Sequence, residues 1–201
     1  MQSKLFQRSV LVCLASLSAA VCVTVWAESD SPGLAHAQGC GSIDPTANID
    51  PTAVLGSCVI IEANAILRAN TSVGANGIIR EDALLKEGAS IGLGSEIGAR
   101  SSIGRDADIG DNVTVGADVD MAKNVLISNG VVIGDAVTIR KAADIRTDTT
   151  IGDNSIVRQD AIIGLDCVVA ASILVKQAVT IPDNTTVDAT FCATDSRCSS
   201  L

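Results

Sequence analysis

The stretch SIGLGSEIGARSSIGRDADIGDNVTVG, residues 90–116, repeats one short pattern every six residues. Each unit carries an aliphatic residue, such as Ile91, and a glycine follows it directly. The same step continues in both directions from Ile43 to Val187, and all 25 positions that it reaches are aliphatic, counting Met121. An amphipathic helix would need a period of about 3.6 residues, so the pattern instead predicts a solenoid of short strands and turns.

Two further positions in each unit support this interpretation. Two residues before the aliphatic stands a small or modest uncharged residue, such as Ala65 or Ser95, and side chains two apart along a strand point to the same face. Three residues before the aliphatic, Asn, Asp or Gly occupies 16 of the 25 units, as at Asn64. These residue types tolerate a left-handed backbone, so each unit reads as a strand followed by a turn.

The repeat resembles the bacterial hexapeptide-repeat (transferase hexapeptide) family over residues 40–188. The resemblance implies an all-β fold, a left-handed parallel β-helix in which three units form one triangular coil. The 25 units then give about eight coils with no extruded loops, and residues 18 apart stack between neighbouring coils. At a strand spacing of about 4.8 Å, such a solenoid is about 40 Å long.

The composition narrows the classes of function. Of the residues, 47% are hydrophobic but only 1% are aromatic, so small aliphatic side chains must fill the core. A net charge of -9 and the shortage of rings argue against a nucleic-acid partner. The single histidine, His36, precedes the repeats, which excludes the three-His zinc site of the γ-class carbonic anhydrases. We expect no metal site and no cofactor.

The N-terminus has the features of a secretory signal peptide. Lys4 and Arg8 precede an uncharged, mostly apolar run over residues 10–25, and a small-residue cleavage pattern ends at Ala27. An uncleaved membrane anchor is the alternative, and membrane contact is expected only in that case. A second cleavage position follows Ala37.

The sequence therefore predicts a periplasmic or extracellular protein built from four segments. These are a signal peptide over 1–27, a linker over 28–39, the left-handed β-helix over 40–189 and a Cys-containing tail over 190–201.

The cysteines fit an oxidising compartment. Cys40 and Cys58 lie 18 residues apart at turn positions, so in the coil geometry that the resemblance implies they stack within disulfide range. Two free thiols at this corner are the alternative. Cys192 and Cys198 would close a short loop in the tail, and Cys167 occupies an inward slot as a buried thiol.

One predicted face is flat and nearly uncharged. Its outward positions alternate between threonine and valine, which predicts a docking surface for another protomer, for a repetitive polymer such as a polysaccharide, or for ice; ordinary β-propensity on a solvent face is the alternative. This flat strip consists of Thr114, Val132, Thr150, Val168 and Thr186.

A second face carries basic residues at equivalent positions along one edge. Anion capture and a protomer contact are the two functional interpretations, and pairing with acidic turn residues such as Asp82 and Asp160 is the alternative. The basic residues are Arg68, Lys86, Arg140, Arg158 and Lys176.

The resemblance implies an acyltransferase that uses a His as base, but no residue within the repeats matches that His. The sequence therefore predicts a non-catalytic structural or binding surface, with a divergent hexapeptide-repeat acyltransferase as the alternative, and it assigns no catalytic residue. Expected partners are a polysaccharide or a protein. The family's trimers also suggest a homotrimer, with a contact at the outward apolar residues Ile60, Ile66, Ile78 and Leu84.

Overall fold

A computed structural model describes the strands β1 (Val10–Ser16) and β2 (Ala19–Val25) and residues 40–201. The chain divides into two compact units, Met1–Pro32 and Gly33–Leu201. In the first unit, β1 and β2 pair antiparallel, with Val10 opposite Val25. The rest of the predicted signal peptide and the predicted linker lie outside the described residues. Within the described part of the chain, no helix is long and apolar enough to span a bilayer.

The second unit is a solenoid of very short strands that recur at every sixth residue. The strands are β3 (Ser42–Ile43), β4 (Asn48–Ile49), β5 (Val54–Leu55), β6 (Ile60–Ile61), β7 (Ile66–Leu67), β8 (Ser72–Val73), β9 (Ile78–Ile79), β10 (Leu84–Leu85), β11 (Ser90–Ile91), β12 (Glu96–Ile97), β13 (Ser102–Ile103), β14 (Asp108–Ile109), β15 (Thr114–Val115), β16 (Asp120–Met121), β17 (Leu126–Ile127), β18 (Val132–Ile133), β19 (Thr138–Ile139), β20 (Asp144–Ile145), β21 (Thr150–Ile151), β22 (Ile156–Val157), β23 (Ile162–Ile163), β24 (Val168–Val169), β25 (Ile173–Val175), β26 (Thr180–Ile181) and β27 (Thr186–Val187), and after a helix α1 (Ala189–Thr194) comes β28 (Cys198–Ser200).

Three sheets form the walls of the solenoid, and every third strand joins the same sheet. Sheet one holds nine strands from β3 to β27, sheet two holds eight repeat strands from β4 to β25, and sheet three holds eight from β5 to β26. All these repeat strands pair in parallel with residues 18 apart in register, as Thr114 does with Val132. This is the predicted all-β, left-handed parallel β-helix of about eight coils, and the prediction is confirmed.

The core is a stack of aliphatic side chains along the solenoid axis. Ile97 and Ile133 are fully buried, and the aliphatic position of most other coils is equally covered. The first coil is the exception, since Ile43 is 37% exposed and no coil covers it from the N-terminal side within the described residues. Backbone bonds between coils, such as that from the Gly98 N–H to the Val115 carbonyl at 2.8 Å, join the layers.

Buried hydroxyl groups form hydrogen bonds with backbone groups at the corners of the solenoid. Ser95 Oγ donates to the Gly110 carbonyl at 2.8 Å and accepts from the Val113 N–H at 3.0 Å. Thr149 and Ser155, which stand in successive six-residue units, make the same pair of contacts with the next coil. No buried side-chain N or O in the described residues lacks a hydrogen-bond partner. These residues therefore have a structural role that needs no nucleophile chemistry.

The turns use the left-handed backbone that the sequence pattern predicts. Asn64 and Asn112 have φ of 57° and 54°. Ala136 and Ala142 adopt the same conformation without the local side-chain hydrogen bonding that favours Asn there. From Cys58 to Asn184 the fold therefore imposes this backbone at each turn, whatever residue stands there.

A small cap ends the solenoid. Asp188 accepts from the Phe191 N–H and begins α1, and β28 then pairs antiparallel with β25, the last repeat strand of sheet two. Cys192 and Cys198 are disulfide-bonded, with their Cα atoms 5.1 Å apart. The predicted Cys-containing tail thus folds back onto the last coils.

Arg197 fixes the cap to a second sheet. Its guanidinium donates to the Thr180 carbonyl at 2.9 Å, at the exposed end of sheet three. Hydrogen bonds from Arg197 hold the pKa of Asp195 at about 2, so this carboxylate stays charged at neutral pH. The cap therefore occupies backbone groups of two sheet ends that would otherwise be open.

The other described cysteines lie where the coil geometry places them. Cys40 and Cys58 are disulfide-bonded at one corner of the first coils, with Cα atoms 4.7 Å apart. Cys167 is a buried free thiol whose Sγ lies 3.1 Å from the Pro182 carbonyl, at a position where other coils have serine or threonine.

Candidate functional site

The corner between sheet two and sheet three collects most of the positive charge of the solenoid. The residue after each sheet-two strand stands at this corner, and in five coils it is basic. The structure therefore brings the five predicted residues into one column, consisting of Arg68, Lys86, Arg140, Arg158 and Lys176.

Two coils interrupt this column with small residues, Gly104 and Ala122. In each of these coils the next residue along the chain, Arg105 or Lys123, supplies the missing positive charge, and Lys141 adds another beside Arg140. Sequence reasoning missed these three because it sampled only the position directly after the aliphatic residue. We call the full set the basic edge: Arg68, Lys86, Arg105, Lys123, Arg140, Lys141, Arg158 and Lys176.

Few carboxylates neutralise the basic edge. Arg105 pairs with Glu87 at 3.2 Å, and Arg140 lies 3.8 Å from Asp120. Among the described residues, none of the other six basic groups has a carboxylate oxygen within 4.0 Å. Asp160 instead accepts from the Gln159 amide at 3.0 Å, and Asp82 belongs to the corner between sheets one and two.

The arginines of the other two corners all form ion pairs with nearby carboxylates. Arg80 lies between Glu62 and Glu96, at 2.7 Å from each, and its pKa is raised by these hydrogen bonds. Arg100 binds both oxygens of Asp118 at 2.8 Å, which lowers the pKa of that carboxyl group. The contrast marks the basic edge as the part of the described surface with positive charge left over for a ligand.

Two grooves lie along the basic edge. The N-terminal groove, of about 510 Å³, contains Arg68, Lys86, Arg105 and Lys123 together with the carboxylates of Asp50 and Glu87. Hydrogen bonds from the side chain and backbone of Thr52 lower the pKa of Asp50, so this carboxylate is charged at neutral pH.

The C-terminal groove has no acidic lining. It measures about 420 Å³, and its lining combines three cations with two amides and two apolar residues. Its lining residues are Ala122, Arg140, Lys141, Ile156, Arg158, Gln159 and Gln177. Guanidinium groups bind phosphate oxygens through paired N–H donors, so this groove suits a phosphorylated ligand better than its neighbour does.

The flat strip lies on sheet one as predicted from the spacing. Its side chains are exposed, with Val132 at 43% and Val168 at 46%. The strip ends at Glu96, which binds Arg80, and the sheet continues through the half-buried Ile60 and Ile78. A docking role for this strip stays a prediction.

The two remaining candidates are the predicted apolar cluster and a metal site. The predicted apolar cluster spans two sheets, since Ile60 and Ile78 lie on sheet one while Ile66 and Leu84 lie on sheet two. No group of three or more His, Cys, Asp or Glu side chains that could hold a metal ion occurs in the part of the chain that the structure describes.

The fold is similar to that of known proteins. A family model described as the GMPPB C-terminal domain matches residues 37–136, and no curated protein sequence matches the chain. The structure is similar to the UDP-N-acetylglucosamine acyltransferase of Francisella novicida, with a TM-score of 0.57, 20% identity, and coverage of 75% of this chain and 62% of that one.

A second solved structure of the same kind is the UDP-N-acetylglucosamine O-acyltransferase of Moraxella catarrhalis. It has a TM-score of 0.51 and 20% identity, over 68% of this chain and 69% of that one. The chain thus spans 62% of the length of the Francisella enzyme, and at this level of identity the likeness establishes the fold.

These comparisons correct two predictions. We expected a non-catalytic structural or binding surface, whereas the two solved structures described above are acyltransferases, which supports the alternative interpretation instead. The expected periplasmic or extracellular location is also contradicted, because the structural neighbours are UDP-N-acetylglucosamine acyltransferases. The first prediction rested on the lack of histidine in the repeats, and the second rested on the apolar N-terminal run.

Proposed function

We propose that the protein is an acyltransferase of the hexapeptide-repeat type. In this proposal it moves an acyl group from a phosphopantetheine thioester, carried by coenzyme A or an acyl carrier protein, to a hydroxyl or amino group of a nucleotide-linked sugar. The observation that carries the proposal is the C-terminal groove, a cationic cleft without carboxylates on a fold shared with UDP-N-acetylglucosamine acyltransferases.

The lining of the C-terminal groove matches the parts of such a donor. Arg140 and Arg158 would bind phosphate oxygens, and Gln159 could exchange hydrogen bonds with the amides of the pantetheine arm. Ile156 and Ala122 offer apolar surface to its methylene groups. A phosphate-bearing donor therefore finds charge, amide and apolar partners within one groove.

The reaction needs one proton transfer. The acceptor oxygen or nitrogen loses a proton and attacks the thioester carbonyl, the carbon–sulfur bond breaks, and the departing thiolate takes up a proton. The sequence contains one imidazole, His36, which lies outside the described residues. No general base is therefore assigned among the described residues, which contain no imidazole.

Turnover tests the proposal directly. The full chain, mixed with acyl-CoA donors of different chain lengths and UDP-N-acetylglucosamine, should release free thiol in proportion to acylated acceptor. Thiol release that does not depend on the acceptor, or none with any donor, would refute the function.

We also propose that the protein is a homotrimer. The family resemblance suggests trimers, and the half-buried pairs Ile60 with Ile78 and Ile66 with Leu84 offer apolar surface in the first coils. Light scattering should give three times the chain mass of 20.4 kDa, and a mass of one chain at micromolar concentration would contradict it.

A further inference from the structure

The last corner between sheets two and three borders the C-terminal groove, because its residue Gln177 lines that groove. One coil earlier, backbone hydrogen bonds fix the same corner to the coil that follows it. The N–H groups of Arg158 and Ile162 donate to carbonyls of that coil at 3.0 and 2.8 Å. The last corner, residues 176–180, has no coil after it within the described residues, so it needs another partner.

Arg197 of the cap takes the place of the missing coil at both ends of this corner. Its backbone carbonyl accepts from the Lys176 N–H at 2.9 Å, and its guanidinium donates to the Thr180 carbonyl at 2.9 Å. These two positions are equivalent to those that bind the next coil one turn earlier. The guanidinium is held in turn by Asp195, which accepts from it at 2.9 Å. One residue of the tail thus makes the contacts that a whole coil makes elsewhere.

The Cys192–Cys198 disulfide restrains Arg197. Cys198 is the next residue along the chain, and the bond ties it to α1, which at six residues is too short to be stable alone. β28 pairs with β25 over only three residues. The cross-link therefore limits the freedom of a tail that has little other secondary structure to fix it.

We infer that this disulfide is a redox latch on the C-terminal groove, an inference that rests on the proposed function. With the bond closed, Arg197 holds residues 176–180, and Gln177 with them, in place to bind the acyl-CoA donor. With the bond broken, the tail opens more often, the corner loses its fixed partner, and donor binding weakens. Arg197 is thus a positioning residue, since it acts on the donor through Gln177.

A dithiol reductant breaks the bond in two steps. Its thiolate attacks Sγ of Cys192, which is half-buried, whereas Cys198 is buried. The Cys198 sulfur leaves as a thiolate and takes up a proton, and the second thiol of the reductant then displaces Cys192. The protein gains two electrons and two protons, and the reductant becomes a disulfide.

Hydrogen exchange and donor binding test the latch on the full chain, with and without dithiothreitol. The donor probe is a thioether analogue of acyl-CoA, which a thiol does not cleave. Reduction should make the Lys176 amide exchange at least about tenfold faster, because the cross-link no longer limits opening of the tail. The analogue should bind about fivefold more weakly, the loss expected for about one hydrogen bond.

Four variants assign these effects to the cap. Cys192→Ser with Cys198→Ser should behave as the reduced protein does and should not respond to dithiothreitol. The matched control, Cys40→Ser with Cys58→Ser, removes the disulfide of the first coils and should keep the full response. Arg197→Ala should bind the analogue more weakly even when oxidised. Arg197→Lys should keep most of the affinity, because its ammonium group can still donate to the carbonyl that the guanidinium binds.

Three results would overturn the inference alone. They are an unchanged exchange rate at Lys176 after reduction, an unchanged affinity for the analogue despite faster exchange, and loss of the response in the Cys40→Ser with Cys58→Ser control. Failure of the analogue to bind either form is a different result. It would refute the proposed function, and the regulation of donor binding with it, whatever the exchange rate shows.

Discussion

Ile133→Ala should lower the free energy of unfolding by about 3 to 4 kcal/mol. Ile133 is 1% exposed and stacks between Val115 and Ile151 in the middle of sheet one. A cavity there cannot collapse easily, because the coils on both sides are fixed by backbone hydrogen bonds such as that from the Gly134 N–H to the Ile151 carbonyl at 2.8 Å. Since folded domains are stable by only about 5–15 kcal/mol, the loss should be obvious in a urea titration.

The neighbouring residue provides the control. Val132 stands one position earlier on the same strand but points outward and is 43% exposed, so Val132→Ala should change the free energy of unfolding by less than about 0.5 kcal/mol. Equal losses in the two variants would mean that the inward and outward faces are assigned wrongly.

Arg140→Glu with Arg158→Glu should reduce the affinity for acyl-CoA at least about a hundredfold. The two guanidinium groups face the C-terminal groove, where the lining has no carboxylate, and the substitutions replace two attractive charges by two repulsive ones. Equilibrium binding of a fluorescent acyl-CoA at fixed ionic strength measures the effect.

The control variant has the same total charge as Arg140→Glu with Arg158→Glu. Arg100→Glu with Arg146→Glu adds the same negative charge at the other corners, where Arg100 already binds Asp118. Its acyl-CoA affinity should fall by less than about threefold, because screening over roughly 8 to 10 Å weakens distant charges. If both double variants bind equally poorly, overall charge decides the binding and the groove has no special role.

The period of six made the solenoid predictable because one repeated constraint sets all the coils. The buried coils each hold a large aliphatic such as Ile97, and each turn from Cys58 to Asn184 has a left-handed residue such as Asn112, so one six-residue unit is enough to predict the pattern. The cap follows no such rule. The helix that begins at Ala189 and the strand at Cys198 depend on open sheet ends, which exist only once the coils have stacked.

The candidate site was predictable only in part, for a related reason. Stepping by 18 finds Arg68 and Arg158 in one column, but Arg105 and Lys123 stand one residue further along and belong to the same edge only in three dimensions. The grooves also depend on small residues: the short side chain of Ala122 lines the C-terminal groove and leaves room for a ligand there. A pattern of residue types indicates which positions align, whereas side-chain volume and length decide where a ligand fits.

Lysine footprinting tests the central claim most directly, because all four lysines within residues 40–201 stand on the basic edge: Lys86, Lys123, Lys141 and Lys176. The full chain is treated with an amine-reactive acetylating reagent, with and without saturating non-reactive acyl-CoA analogue, and mass spectrometry measures the modification of each lysine. The account predicts that the analogue protects Lys141 in the C-terminal groove and leaves Lys86 in the N-terminal groove as reactive as before. Unchanged reactivity of Lys141 at saturating analogue would contradict it.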